Sequence, residues 1–139
     1  MPSLPSFDLP ISPIQTIFHP VLEKAGVQLI LKRDDLIHPS ISGNKWRKMK
    51  YNLIEAHQQG FRQLITFGGA YSNHIYATAS AGKVFGFDTL GIIRGEELNP
   101  QSSSTLQYAA ENGMQFRFVS RTAYRDKEEI LRQLTQEDI

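Results

Sequence analysis

Three times in this chain a glycine followed at once by a large apolar residue closes a stretch of helical periodicity: Gly60 with Phe61, Gly86 with Phe87, and Gly113 with Met114. Glycine enters the left-handed backbone region without strain, and an apolar residue just beyond it packs back onto the helix that has ended, so each pair reads as a helix stop. The stops are 26 and 27 residues apart, room for one helix, one short strand and two turns. Strands alternating with helices at that interval give right-handed βαβ units and therefore a parallel sheet. The units share period and caps but not side chains, so a solenoid fits poorly.

The pattern predicts an α/β fold, an open parallel sheet with helices on both faces. Val27–Lys32 reads as a strand ending in the polar segment Arg33, Asp34, Asp35, and a loop follows through Pro39 and Gly43. Residues 45–59 place Trp46, Met49, Leu53 and Ala56 at steps of three and four, the stripe of an amphipathic helix. Strands are expected at 64–67, 89–93 and 116–119. Helices are expected at 72–85, from a cap at Ser102 or Ser103 to Asn112, and at 126–134, with Ser72 or a neighbour capping the first. The prolines at 2, 5, 10, 13 and 20 forbid a long helix and favour an extended arm running over the surface of something larger. Residues 1–44 are thus expected to be an arm and first strand belonging to a larger domain, and 45–139 a small α/β domain. The final Thr135–Ile139 falls in a predicted helix without a glycine cap, which suggests a truncated product or gene.

Composition removes several classes of function. Lys and Arg (15) nearly balance Asp and Glu (14), so no net charge draws the chain to nucleic acid or an anionic membrane. There is no cysteine, hence no disulfide, thiolate metal site or catalytic thiol, and no metal is expected. With no bilayer-length apolar run and no basic, apolar leader, a cytoplasmic location is expected.

Two segments can carry chemistry. In Ser42, Gly43, Asn44, Lys45 a lysine follows a glycine loop at the first turn of a predicted helix, where amide donors and the positive helix end disfavour an ammonium. A Schiff-base lysine needs that, because only the neutral amine attacks an aldehyde or later accepts a substrate proton. The plain alternative is that Lys45, Arg47, Lys48 and Lys50 form a solvated basic face. In Gly68, Gly69, Ala70, Tyr71, Ser72, Asn73, His74, a loop joins a predicted strand to a predicted helix, where open parallel sheets bind ligands and helix amides receive anions. The glycines allow close approach of a ligand, and Ser72, Asn73 and His74 offer a hydroxyl, an amide and an imidazole. Their plain alternatives are an N-cap, a turn residue and a half-buried helix residue.

Together, LKRDDLIHPSISGNKWRKMKYNL and TFGGAYSNH resemble the D-cysteine desulfhydrase and 1-aminocyclopropane-1-carboxylate deaminase branch of the fold-type II pyridoxal-phosphate enzymes, whose fold is that of tryptophan synthase beta. The resemblance covers most of the chain, and both the order of the motifs and the 27 residues from Lys45 to Ser72 agree. It implies pyridoxal 5'-phosphate as cofactor, bound covalently by Lys45, with Asn44 beside it and Asn73 bonded to its phenolic oxygen. It also implies that amides around Ser72, Asn73 and His74 hold a substrate carboxylate and that Ser72 assists proton movement. A small amino acid is the implied substrate, D-cysteine giving a 2-oxo acid, ammonia and sulfide, or a cyclopropane amino acid undergoing ring opening. Homodimers are implied too. Tyr71 stands where members of the family often carry glutamine. The family's glycine-rich phosphate cup, pyridine-nitrogen partner and substrate-side tyrosine come from downstream segments not recognisable here, so the fragment alone is expected to be inactive.

Two rivals remain. One is a catalytically incomplete fragment acting as an interaction module. The other is a nucleic-acid module using Trp46 and Tyr51 among Lys45, Arg47, Lys48 and Lys50, which ranks last because Trp46 lies on the apolar stripe.

Overall fold

The six-residue strand Gln63–Gly68 (β3), the seven-residue strand Asp88–Arg94 (β4) and the five-residue strand Gln115–Val119 (β5) form one parallel sheet in the order β3-β4-β5. These come from a computed structural model that describes residues 7, 11–41 and 43–136. Pro2, Pro5 and Pro10 of the expected arm, Ser42, and the end of the chain from Glu137 to Ile139 lie outside the described residues. The chain divides into two compact units, Met1–Gln58 and Gln59–Ile139.

In the second unit helix Asn73–Phe85 (α3) crosses from β3 to β4, helix Ser104–Glu111 (α4) from β4 to β5, and helix Lys127–Gln136 (α5) follows β5. Successive side chains of a strand point to opposite faces, and β4 uses both. Ile93 packs with Ile75 and Ala79 of α3, Leu106 and Ala109 of α4, and Met114. On the other face Leu90 and Ile92 pack with Ile130 and Leu134 of α5, with Phe67 and Val119 against them. A strand covered on both faces reads as a continuous apolar run, and Leu90–Ile93 is buried throughout. The expected α/β fold, with an open parallel sheet and helices on both faces, is what forms. Gly60, Gly86 and Gly113 all have positive φ, at 77°, 75° and 87°, as their role as helix stops requires. Of the two serines offered as cap for α4, Ser103 does it, its Oγ accepting from the Leu106 amide at 3.1 Å.

The first unit holds strand Ile14–Ile17 (β1), helix Pro20–Lys24 (α1), strand Leu29–Lys32 (β2), a 3-10 turn at Asp34–Leu36, and helix Asn44–Gln58 (α2). β1 and β2 pair antiparallel, Ile14 opposite Lys32 and Ile17 opposite Leu29. Part of the expected extended arm is therefore a paired strand. The short helix α1 was not expected. Pro20 fits a first helical position, His19 Nδ1 accepts from the Val21 amide at 3.3 Å, and Gly26, with φ of 65°, follows its end. Along α2, Trp46, Met49 and Leu53 are buried and Ala56 half-buried, so the predicted stripe forms. The sequence places a division at 44/45, whereas the compact units part after Gln58. Helix α2 is tied to the segment before it by Arg47, which bonds Asp34 and Ser12, and by the edge-on contact of Phe7 with His57.

Candidate active site

Asn44 and Lys45 occupy the first turn of α2, Asn44 exposed and Lys45 half-buried. Among the described residues the Lys45 ammonium enters no ion pair and no side-chain hydrogen bond, whereas Lys48, one turn on, is exposed. The loop before α2 is fixed from within. His38 Nδ1 accepts from the amides of Ser40 and Ile41, each at 3.2 Å, so this nitrogen presents its lone pair to the loop backbone. Ile37 and Ile41 are buried and anchor the loop. Asp34 sits at its start, receiving Lys32 Nζ at 3.1 Å and Arg47 Nη2 at 3.0 Å. Hydrogen bonds from Arg47, then Ser12 and Lys32, hold its carboxyl well below the usual carboxylate range.

The other segment begins where β3 ends. Gly68 is the last strand residue, Gly69, Ala70 and Tyr71 make the turn, and the Ser72 amide donates to the Gly69 carbonyl at 3.1 Å. Ser72 is the N-cap of α3, its Oγ accepting from the amides of His74 at 3.2 Å and Ile75 at 3.4 Å. Its hydroxyl hydrogen is left to donate. A Cβ on Gly68 would come within 2.4 Å of Ile75 and 3.1 Å of the Ser72 Cβ, so glycine is what lets the helix start this close to the strand. Beside Gly69 a Cβ would meet nothing within 4 Å. The Ser103 hydroxyl donates to the Ala70 carbonyl while capping α4, and so fastens the loop to that helix. Asn73 is exposed and His74 half-buried.

The predicted site residues thus fall in two groups. Ser72, Asn73 and His74 are brought together at the carboxyl end of β3, where parallel sheets present ligand sites. Asn44 and Lys45 belong to the other unit. The sequence reading had Asp34 only as the polar end of a strand and Arg47 only as part of a basic face. Their spacing of 13 residues has no short-range signature. Nor did it single out Tyr124, packed edge-on against Phe67 with the guanidinium of Arg94 5.9 Å from its ring and Lys127 Nζ 5.8 Å away. Burial raises the Tyr124 hydroxyl above its ordinary pKa despite the cation. Among the described residues no three His, Asp or Glu side chains converge as a metal site, and no helix is long and apolar enough to cross a membrane.

No family model matches the chain. It is 41% identical over 78 residues to a putative 1-aminocyclopropane-1-carboxylate deaminase of Pyrococcus abyssi, covering 56% of this chain and 24% of that protein. It is 40% identical over 73 residues to a protein of Arabidopsis thaliana named bifunctional D-cysteine desulfhydrase/1-aminocyclopropane-1-carboxylate deaminase, covering 52% of this chain and 18% of that protein. Among solved structures, one described as an ACC deaminase homologue superposes with a TM-score of 0.71 at 30% identity, over 98% of this chain and 41% of that one. The chain spans about a quarter of the Pyrococcus protein's length and less of the Arabidopsis one. Over more than half of its own length, the chain is thus similar to proteins named 1-aminocyclopropane-1-carboxylate deaminase and D-cysteine desulfhydrase.

Proposed function

We propose that this chain carries part of the machinery of a fold-type II, pyridoxal-phosphate-dependent lyase or deaminase acting on a small amino acid, with Lys45 as the covalent anchor of the cofactor. The observation that carries the reading is Lys45 itself, half-buried at the first turn of α2 and outside every ion pair among the described residues. An amine so placed suits attachment to an aldehyde, and the lone pair freed when a substrate displaces it can accept a proton. When bound, the cofactor supplies an electron sink for the charge left on the substrate carbon. Asn44 flanks the anchor in sequence, and, as the family resemblance implies, the amide of Asn73, exposed at the start of α3, would be a cofactor ligand. The backbone around Ser72, Asn73 and His74 would receive the substrate carboxylate and the Ser72 hydroxyl would pass a proton. The His74 amide is engaged by Ser72 Oγ, so carboxylate binding there would compete with the cap.

The favoured substrate is D-cysteine or a similar β-substituted amino acid, which with water gives a 2-oxo acid, ammonia and sulfide. The alternative is ring opening of a cyclopropane amino acid, and the name of the Arabidopsis relative carries both activities. The proposal includes association of copies, as dimers, with neither nucleic acid nor membrane as partner, and a cytoplasmic setting. A second reading, a catalytically incomplete chain acting as an interaction module, is favoured by the exposed apolar residues of the first unit, Ile30 and Phe18 among them.

The test is titration with pyridoxal phosphate, borohydride reduction and peptide mapping, on this chain and on a full-length relative. We expect label on Lys45, lost in Lys45→Ala and kept in Lys48→Ala. Equal loss in both variants, or no label at Lys45 in either protein, would end the cofactor assignment. Label with no release of oxo acid from D-cysteine or the cyclopropane substrate by this chain would favour the incomplete reading.

A further inference from the structure

Lys45 is bracketed by one residue. Two positions before it, the Gly43 amide donates to the Asp34 carbonyl at 2.8 Å. Two positions after it, Arg47 donates to the Asp34 carboxylate through Nη2 at 3.0 Å and Nε at 3.3 Å. Asp34 is itself held in place. It begins the 3-10 turn, its carboxylate receives Lys32 from the end of β2 at 3.1 Å, and its partner Arg47 also donates to Ser12, 3% exposed, at 3.5 Å. Its neighbour Arg33 grips Asp35 through Nη2 at 2.6 Å and donates to Gln15 of β1 through Nη1 at 2.6 Å, so the turn is tied to both strands.

The backbone entering the lysine's turn and a side chain leaving it therefore end on the same aspartate. We infer that Asp34 is a positioning residue for Lys45, acting with Arg47 to fix where the first turn of α2 stands relative to β1 and β2. The inference rests on the reading of Lys45 as the anchor. A chain held on both sides of a residue leaves that residue little freedom of direction, which a reacting amine requires, since small misplacements of a reacting group are costly. The ion pair is not built for global stability. The Asp34 side chain is 29% exposed and that of Arg47 51%, and pairs so open to solvent add little to folding.

The experiment uses the whole chain and a double-mutant cycle of Asp34→Asn, Arg47→Gln and the two combined, with Asp34→Glu as the conservative variant. Three quantities are read: the ratio of pyridoxal-phosphate label on Lys45 to that on Lys48, exchange of the Gly43 amide, and the thermal midpoint. We expect the ratio to fall by about tenfold or more in each single variant and no further in the double, as for two ends of one interaction. Gly43 exchange should rise in parallel, the midpoint should hardly move, and Asp34→Glu should recover most of the ratio. Arg132→Gln, which removes another solvent-exposed ion pair, with Glu129 in the other unit, should leave the ratio unchanged. An unchanged ratio in Asp34→Asn, additive losses in the double, or an equal fall in Arg132→Gln would overturn the inference. Should the unaltered chain take no label at Lys45, the ratio cannot be read, and the cofactor reading fails if the full-length relative takes none at the matching lysine either. The tie would then be judged by Gly43 exchange alone, and unchanged exchange in Asp34→Asn would overturn it.

Discussion

Strands β2 and β4 are built from the same kinds of residue and meet opposite fates. In β4 Leu90, Gly91, Ile92 and Ile93 are all buried, one face against α3 and α4 and the other against α5. In β2 Leu29, Ile30 and Leu31 are all exposed, although they too point alternately to two faces. Among the described residues β2 has only β1 beside it, and a two-stranded sheet is at best marginally stable alone. An apolar run therefore records that a strand is made to be covered on both faces, without recording what covers it.

The contrast can be tested, and the largest effect belongs to the covered strand. Ile93→Ala removes a side chain with 0% exposure and should cost about 2–5 kcal/mol in urea unfolding followed by circular dichroism. A loss near zero would mean that the sheet is not the stable half. In β2, Leu31→Ser should change stability by only about 0.5 kcal/mol either way, but should reduce self-association measured by sedimentation, because it breaks an exposed apolar surface. A loss as large as that of Ile93→Ala would show that β2 is already covered and the contrast false.

The smallest effect concerns acid. Asp34 has its carboxyl pKa lowered in the folded chain, so the folded state binds fewer protons there than the unfolded state. Its contribution is complete above the unfolded value of about 3.9 and fades as pH falls from there towards the folded value. The expected result is a shallow acid slope in the emission of Trp46, the single tryptophan, reduced in Asp34→Asn. A steep loss already at pH 5 would point to a different group.

The comparison also explains what was legible in the sequence. The second unit was read nearly strand for strand, because local signals agree with tertiary ones: glycine stops at Gly60, Gly86 and Gly113, serine caps at Ser72 and Ser103, and a helical period between them. Helix α1 was missed because a five-residue helix carries no period, and its start depends on His19, an unusual cap. Lys45 and Ser72 to His74 were legible as residues in motifs. The Asp34–Arg47 tie and the Ser103 bond to the Ala70 carbonyl were not, since each joins positions distant in the chain through side chains whose direction only the fold decides.

Gly68 limits how this loop can be redesigned. The place of Ser72 is set by an atom that is missing four residues earlier, so anyone randomising the loop to test the proposed substrate contacts would have to leave position 68 alone. Position 69, with open space beside it, is where new side chains can be tried.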